Sequence, residues 1–119
     1  MEDKKVTVHE LKERMALFVS EREWNKFHSP KNLSMALSAE AAELLEKFLW
    51  IEAGDSYAEV DRNREQIEDE LADVLAYILS FANAAKIDIS AAFDRKLVKN
   101  AQKYPIEKAR GRHTKYTDY

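Results

Sequence analysis

Between Leu33 and Ala53 the apolar positions Leu37, Leu44, Leu45, Phe48 and Leu49 fall on more than one face of a helix. Two pairs of acids interrupt such stretches: Glu40 and Glu43 in one, Glu70 and Asp73 in Glu70-Leu71-Ala72-Asp73-Val74-Leu75 in the next. The pattern predicts helices throughout. Thr7 opens Thr7-Val8-His9-Glu10, a capping box that starts a helix to about Asn25. Pro30 disfavours helix at the residue before it, so Phe27 to Asn32 reads as a loop. A second helix is expected from about Leu33 to Ala53, with Gly54 as its stop. Residues from Asp55 to about Glu59 connect to a third helix ending near Lys86. Asp88 caps a fourth, which finishes before Pro105, and 106–119 read as irregular. With two Gly and two Pro in 119 residues, the class is all-α: four main helices in one domain, 1–119, with a tail over about 104–119. Apolar surface this broad predicts a second subunit over it, as a homodimer or homotetramer; a compact monomeric bundle is the alternative.

Each acid pair is spaced i, i+3, so both members project from one helical face. Carboxylates on an apolar face are costly to bury without compensation, and four hard oxygen donors from two helices suit Mg2+. The competing reading places them on solvated faces, with Glu43 pairing Lys47 at i+4. That fits poorly for Glu40 and Glu43, because Leu33, Ala36, Leu37, Ala39 and Leu44 leave little polar face. Glu70 belongs to the cluster Glu68-Asp69-Glu70, part of which must be solvated; Asp73, between Ala72 and Val74, is the more telling acid. Glu46 and Glu52 are assigned to the surface. A seven-residue step returns to within about 20° on an α-helix, which sets Trp50 on the face of Glu43 and Tyr77 on that of Glu70. Lys96, Asn100 and Lys103 form a stripe at i, i+4, i+7. Acids for a metal, rings for a base and cations for phosphate are the parts of a nucleotide site.

Composition narrows the classes. No cysteine means no disulfide framework and no thiolate metal site. No apolar run approaches the roughly 18 residues of a membrane span, and residues 1–10 are too polar for a signal peptide, so a cytoplasmic protein with no membrane partner is expected. The net charge of −3 is uneven: from Lys103 onward five cations face two acids, leaving the remainder at −6. An acidic body argues against a nucleic-acid polymer as partner. His28 has no partner at metal-ligand spacing, and His9 and His113 are remote in sequence, so zinc is not expected. Two glycines leave no P-loop and no Rossmann fingerprint.

At these residues the chain resembles the MazG-like all-α nucleotide pyrophosphohydrolases, whose ExxE and ExxD motifs match Glu40-Ala41-Ala42-Glu43 and Glu70-Leu71-Ala72-Asp73. Within that family it is most similar to the dCTP pyrophosphatase branch. The stretches Glu21 to His28, Pro30 to Leu33, Phe48-Leu49-Trp50, Lys99 to Pro105 and Lys108 to Arg112 carry the likeness, together with Lys115-Tyr116. It spans about residues 7–117. The resemblance implies a MazG-like bundle completed by dimerisation, with Glu40, Glu43, Glu70 and Asp73 as Mg2+ ligands. It implies a base and sugar pocket from Trp24, Asn25, Lys26, Phe27, His28, Trp50 and Tyr77. Lys96, Asn100, Lys103 and Tyr104 would reach the phosphates, with Arg110 and Arg112 as weaker candidates. Met15 stands where some dCTP-preferring relatives carry a His.

The expected activity is Mg2+-dependent hydrolysis of a (deoxy)nucleoside triphosphate, dCTP or a related pyrimidine nucleotide, to monophosphate and pyrophosphate, serving nucleotide-pool sanitation. Water attacks the α-phosphorus, and Glu43 is the expected catalytic base. The alternatives are dUTP or modified nucleotides on the same scaffold, or a non-enzymatic helical interaction module.

Overall fold

A computed structural model describes residues 1–119 as helices and turns without strands. Six α-helices occur: α1 (Val8–Glu21), α2 (Pro30–Glu46), α3 (Ser56–Arg62), α4 (Arg64–Ala85), α5 (Ile89–Lys103) and α6 (Ile106–Ala109). The chain forms two compact units, Met1–Lys86 and Ile87–Tyr119. No single helix is long and apolar enough to cross a membrane.

In the first unit α4 is the central element, and α1, α2 and α3 all pack against it. Its core is small: Val19 of α1, Leu33 of α2, and Ile67, Leu79 and Ala82 of α4. Leu33, at 1% exposure, is the deepest of these side chains. Asn83 of α4 donates to the Lys12 carbonyl of α1 at 2.9 Å, pinning the two helices where the packing is polar. Large apolar side chains stay outside this core, among them Leu17, Met35, Leu45 and Leu71, all more than half exposed.

Two helix starts follow the caps expected at Thr7 and Asp88, and Ser29 adds a third that was not expected. Thr7 accepts the Glu10 amide at 3.1 Å, Ser29 accepts that of Asn32 at 3.2 Å, and Asp88 that of Ala91 at 3.0 Å. Pro30 is not in a loop but opens α2, where its missing N–H costs nothing. Helix ends depart further from expectation. α1 stops at Glu21 rather than near Asn25: the Arg22 guanidinium takes the Phe18 carbonyl at 2.9 Å, and Glu23 adopts a left-handed φ of 55°. A 3-10 turn, Trp24–Phe27, follows. α2 ends at Glu46, well before Gly54, because Lys47 and Phe48 bond three residues back to Leu44 and Leu45. The third helix is broken at Asn63, where φ is −121°. The Asn63 side-chain amide binds the buried Glu59 carboxylate at 2.6 Å, and Arg62 pairs with the same group. Asparagine here offers the chain a local bond that competes with the helix.

In the second unit α5 runs to Lys103, and the tail is more ordered than expected, with α6 and a 3-10 turn at Tyr116–Asp118. Tyr104 stacks edge-on against Tyr116 and Tyr119, with ring centroids 5.7 and 6.0 Å apart.

Leu33→Ala should destabilise the fold by about 2–5 kcal/mol, read from urea unfolding, since nothing else fills its position in so thin a core. Lys86→Gly, at the left-handed end of α4 with φ 56°, should stabilise it by about 0.5–1 kcal/mol in the same measurement.

Candidate functional site

α2 and α4 face one another, and their facing turns bring three acids together. Carboxylate oxygens of Glu40, Glu43 and Glu70 lie within 4.8 Å of one another. The i, i+3 step puts Glu40 and Glu43 on one face of α2, and the packing of α4 supplies Glu70. Glu40 and Glu70 are half-buried, and each turns an Oε2 atom away from solvent with no hydrogen-bond partner. Three like charges this close, with two orphaned oxygens, are stable only if a proton or a cation sits among them. Hard oxygen donors suit a divalent ion, so the residues present fit one.

The titration of the acids reflects the crowding. Glu43 is raised above its ordinary 4.5, first by its hydrogen bond with the Glu40 carboxyl and further by the charge of that neighbour. Glu70 is raised chiefly by burial, then by Glu43.

One turn beyond Glu70 on α4, Asp73 does not join the trio; it is exposed and lines an adjacent slot. The slot is a cavity of about 420 Å³ walled by Met15, Phe18, Trp24, His28, Ala76 and Tyr77. The break after α1 is what aims Trp24 at it. Trp24 meets Phe18 edge-on at 5.7 Å, and His28 lies 6.1 Å from Trp24 and 6.5 Å from Tyr77 by ring centroids. The seven-residue phase holds for Glu70 and Tyr77, which share the unbroken α4. It fails for Glu43 and Trp50: α2 ends between them, and Trp50 is 90% exposed outside the slot.

Of the other expected residues, Asn25 and His28 line a second cavity next to the slot. Lys26 and Phe27 point outward together, the Lys26 ammonium 5.3 Å above the Phe27 ring. In the second unit, Lys103 lines a basic hollow of about 540 Å³ with Lys99, Lys108, Tyr116 and Tyr119. Its ammonium lies 5.1 Å over Tyr116. Tyr104 belongs to the tyrosine stack, while Lys96 is exposed and Asn100 half-buried. Arg112 lies over Tyr119 at 4.8 Å, and Arg110 is exposed. Sequence reasoning missed Phe18, whose three-residue step from Met15 on α1 was available as a signal. It also missed Lys99 and Lys108, which only the fold of the tail brings together.

Acids converging from the two long helices of an all-α unit, beside an aromatic slot, are the arrangement of a helical nucleotide hydrolase. Residues 35–119 match the sequence model of the MazG-like family. The dCTP pyrophosphatase 1 of Mus musculus is 37% identical over 115 residues, covering 94% of this chain and 67% of that protein. That of Homo sapiens is 35% identical over 114 residues, with the same two shares. The crystal structure of a pyrophosphatase from Archaeoglobus fulgidus superposes with a TM-score of 0.80 at 37% identity, covering 88% of this chain and 98% of the other. The chain belongs to the MazG-like family, the all-α nucleotide pyrophosphohydrolases, and is an enzyme of that class. A non-enzymatic helical module is thereby set aside.

Because Glu43 and Glu70 are raised, their contribution to stability without a cation is fully present below about pH 4.5 and is lost as the pH climbs through the raised values. A divalent cation competes with those protons, so the rise in Tm on adding MgCl2 should grow over that same interval. Thermal melts at several pH values, with and without MgCl2, check this; Glu40→Gln should shrink the increment.

Proposed function

We propose that this enzyme hydrolyses a (deoxy)nucleoside triphosphate, dCTP or a related pyrimidine nucleotide, to the monophosphate and pyrophosphate in a Mg2+-dependent reaction. The observation that carries the proposal is the meeting of Glu40, Glu43 and Glu70, with orphaned oxygens, beside a slot whose acidic member is Asp73. These four residues would hold Mg2+, which when bound neutralises phosphate charge and makes coordinated water more acidic.

The chain's own groups then divide the work. Glu43 accepts a proton from the water that attacks the α-phosphorus, while the bond to the departing pyrophosphate breaks. Trp24 and Tyr77 offer ring faces for the base, with Phe18 and Met15 closing the apolar wall. His28 and Asn25 supply hydrogen bonds that tell one base from another. On the motif resemblance and the basic, aromatic character of the second unit, we assign the phosphates to Lys96, Asn100, Lys103 and Tyr104, with Arg110 and Arg112 assisting. Lys26, Phe27 and Trp50 are proposed, on the resemblance alone, as further members of the base and sugar pocket. Residues 1–119 are read as one functional domain, and nucleotide-pool sanitation in the cytoplasm is the role that follows.

The assembly proposed is a homodimer or homotetramer. Exposed Leu45, Leu49, Leu71 and Leu75 on the acid-bearing helices and the turn after α2 support it, since apolar surface of this extent is stabilised by a covering subunit. Light scattering on the eluting peak should give two or four times 13.8 kDa, and a peak at 13.8 kDa would refute the assembly.

Pyrophosphate release from a panel of (d)NTPs, including dUTP and oxidised nucleotides, with Mg2+ or EDTA, tests the reaction. Mg2+-dependent release strongest with dCTP is expected; release strongest with another base would retain the chemistry and discard the pyrimidine assignment. Glu43→Gln and Asp73→Asn should each lower kcat by at least about 100-fold with helicity intact by circular dichroism. Full turnover in both would overturn the site.

A further inference from the structure

Next to the aromatic slot, along the same α1–α4 seam, lies a second cavity of about 410 Å³. His28 belongs to the walls of both. The slot uses Met15 and Phe18 of α1 with Ala76 and Tyr77 of α4; the second cavity uses Ala16 and Val19 with Ser80 and Asn83. Four residues separate Ala76 from Ser80, about 6 Å along the helix, which is within the span of a base ring.

Ser80 is 4% exposed, and its hydroxyl has no hydrogen-bond partner. A helical serine has a ready partner in the carbonyl three or four residues earlier. Ser20, Ser34, Ser38 and Ser56 all take that option, at 2.7–3.1 Å. Ser80 does not. A buried hydroxyl left unsatisfied costs stability, and its bonding capacity stays open to water or to a group entering the cavity. Asn83 beside it is held in place by the Lys12 carbonyl, which fixes the orientation of its amide. The polar groups of the lining are Ser80, Asn83, Asn25 and His28, with no carboxylate, Lys or Arg side chain among them. Such a lining suits neutral donors and acceptors, not phosphate.

We propose that this compartment receives the hydrogen-bonding edge of the substrate's base, with Ser80 as a specificity-determining residue. The inference rests on the nucleotide-hydrolase reading of the neighbouring acids and adds where base identity is read. The base lies in the aromatic slot, and its polar edge passes His28 to reach the Ser80 hydroxyl.

The test is kcat/KM for each member of the (d)NTP panel with the wild type, Ser80→Ala and Ser80→Thr, under Mg2+. Ser80→Ala should lower kcat/KM for the best base about fivefold to tenfold through KM, and so narrow its lead over the next base. Ser80→Thr, which keeps the hydroxyl, should restore the lead. The Tm of Ser80→Ala should not fall, because the hydroxyl it removes has no partner in the free chain. Base ratios unchanged within twofold would overturn the inference alone, marking the compartment as solvated space. Loss spread evenly over all bases with a lowered Tm would overturn it in favour of a structural serine. No turnover by the wild type on any nucleotide would overturn the hydrolase reading and this inference with it.

Discussion

Mutual repulsion among Glu40, Glu43 and Glu70 is the constraint around which the first unit is arranged. Two helices can be packed together most simply by apolar faces, yet α2 and α4 meet with three acids between them. Both helices also bury apolar side chains, Leu33 of α2 and Ile67, Leu79 and Ala82 of α4, and the repulsion is left for a proton or a cation to relieve. The raised affinities of Glu43 and Glu70 for protons are the signature of that unrelieved state. A cluster so charged adds little stability by itself, and the buried apolar core of the unit is small.

The slot and the acid trio are joined by one helix. α4 carries Glu70, then Asp73, then Tyr77, each about one turn further along, so charged and aromatic groups stand at fixed spacing along one helix. The opposite wall is less regular. α1 gives Met15 and Phe18, but Trp24 arrives only because the chain leaves the helix at Glu23. Rigid helical spacing thus sets the acidic side of the slot, and an irregular turn shapes its aromatic side.

Much of this was legible in the residues. The caps at Thr7 and Asp88 and the all-α class follow from local chemistry that tertiary packing does not reverse. The acid pairs were legible because carboxylates amid Ala and Leu contradict the expected pattern. Helix ends were not, for distinct reasons. α1 ends through an arginine folding back on its own carbonyl and a left-handed glutamate, neither of which a pattern of Gly and Pro reveals. α2 ends short of its glycine, and the face-sharing of Glu43 with Trp50 fell with it. Asp73 stood out in the sequence yet lines the slot instead of joining the trio, since helical phase gives direction but not the distance to a partner helix. Ser80 carried no sequence signal, because its meaning lies in a bond it does not make.

The left-handed backbone at Glu23 has a consequence for how this pocket can drift over generations. What position 23 contributes is a backbone direction, and its side chain caps nothing. Gly, Asn and Asp adopt that direction readily, whereas Val, Ile and Thr resist it. Mutation there is therefore filtered by shape and not by charge: Gly, Asn or Asp keeps the turn, and a single β-branched replacement strains the segment that carries Trp24 without altering any side chain of the slot.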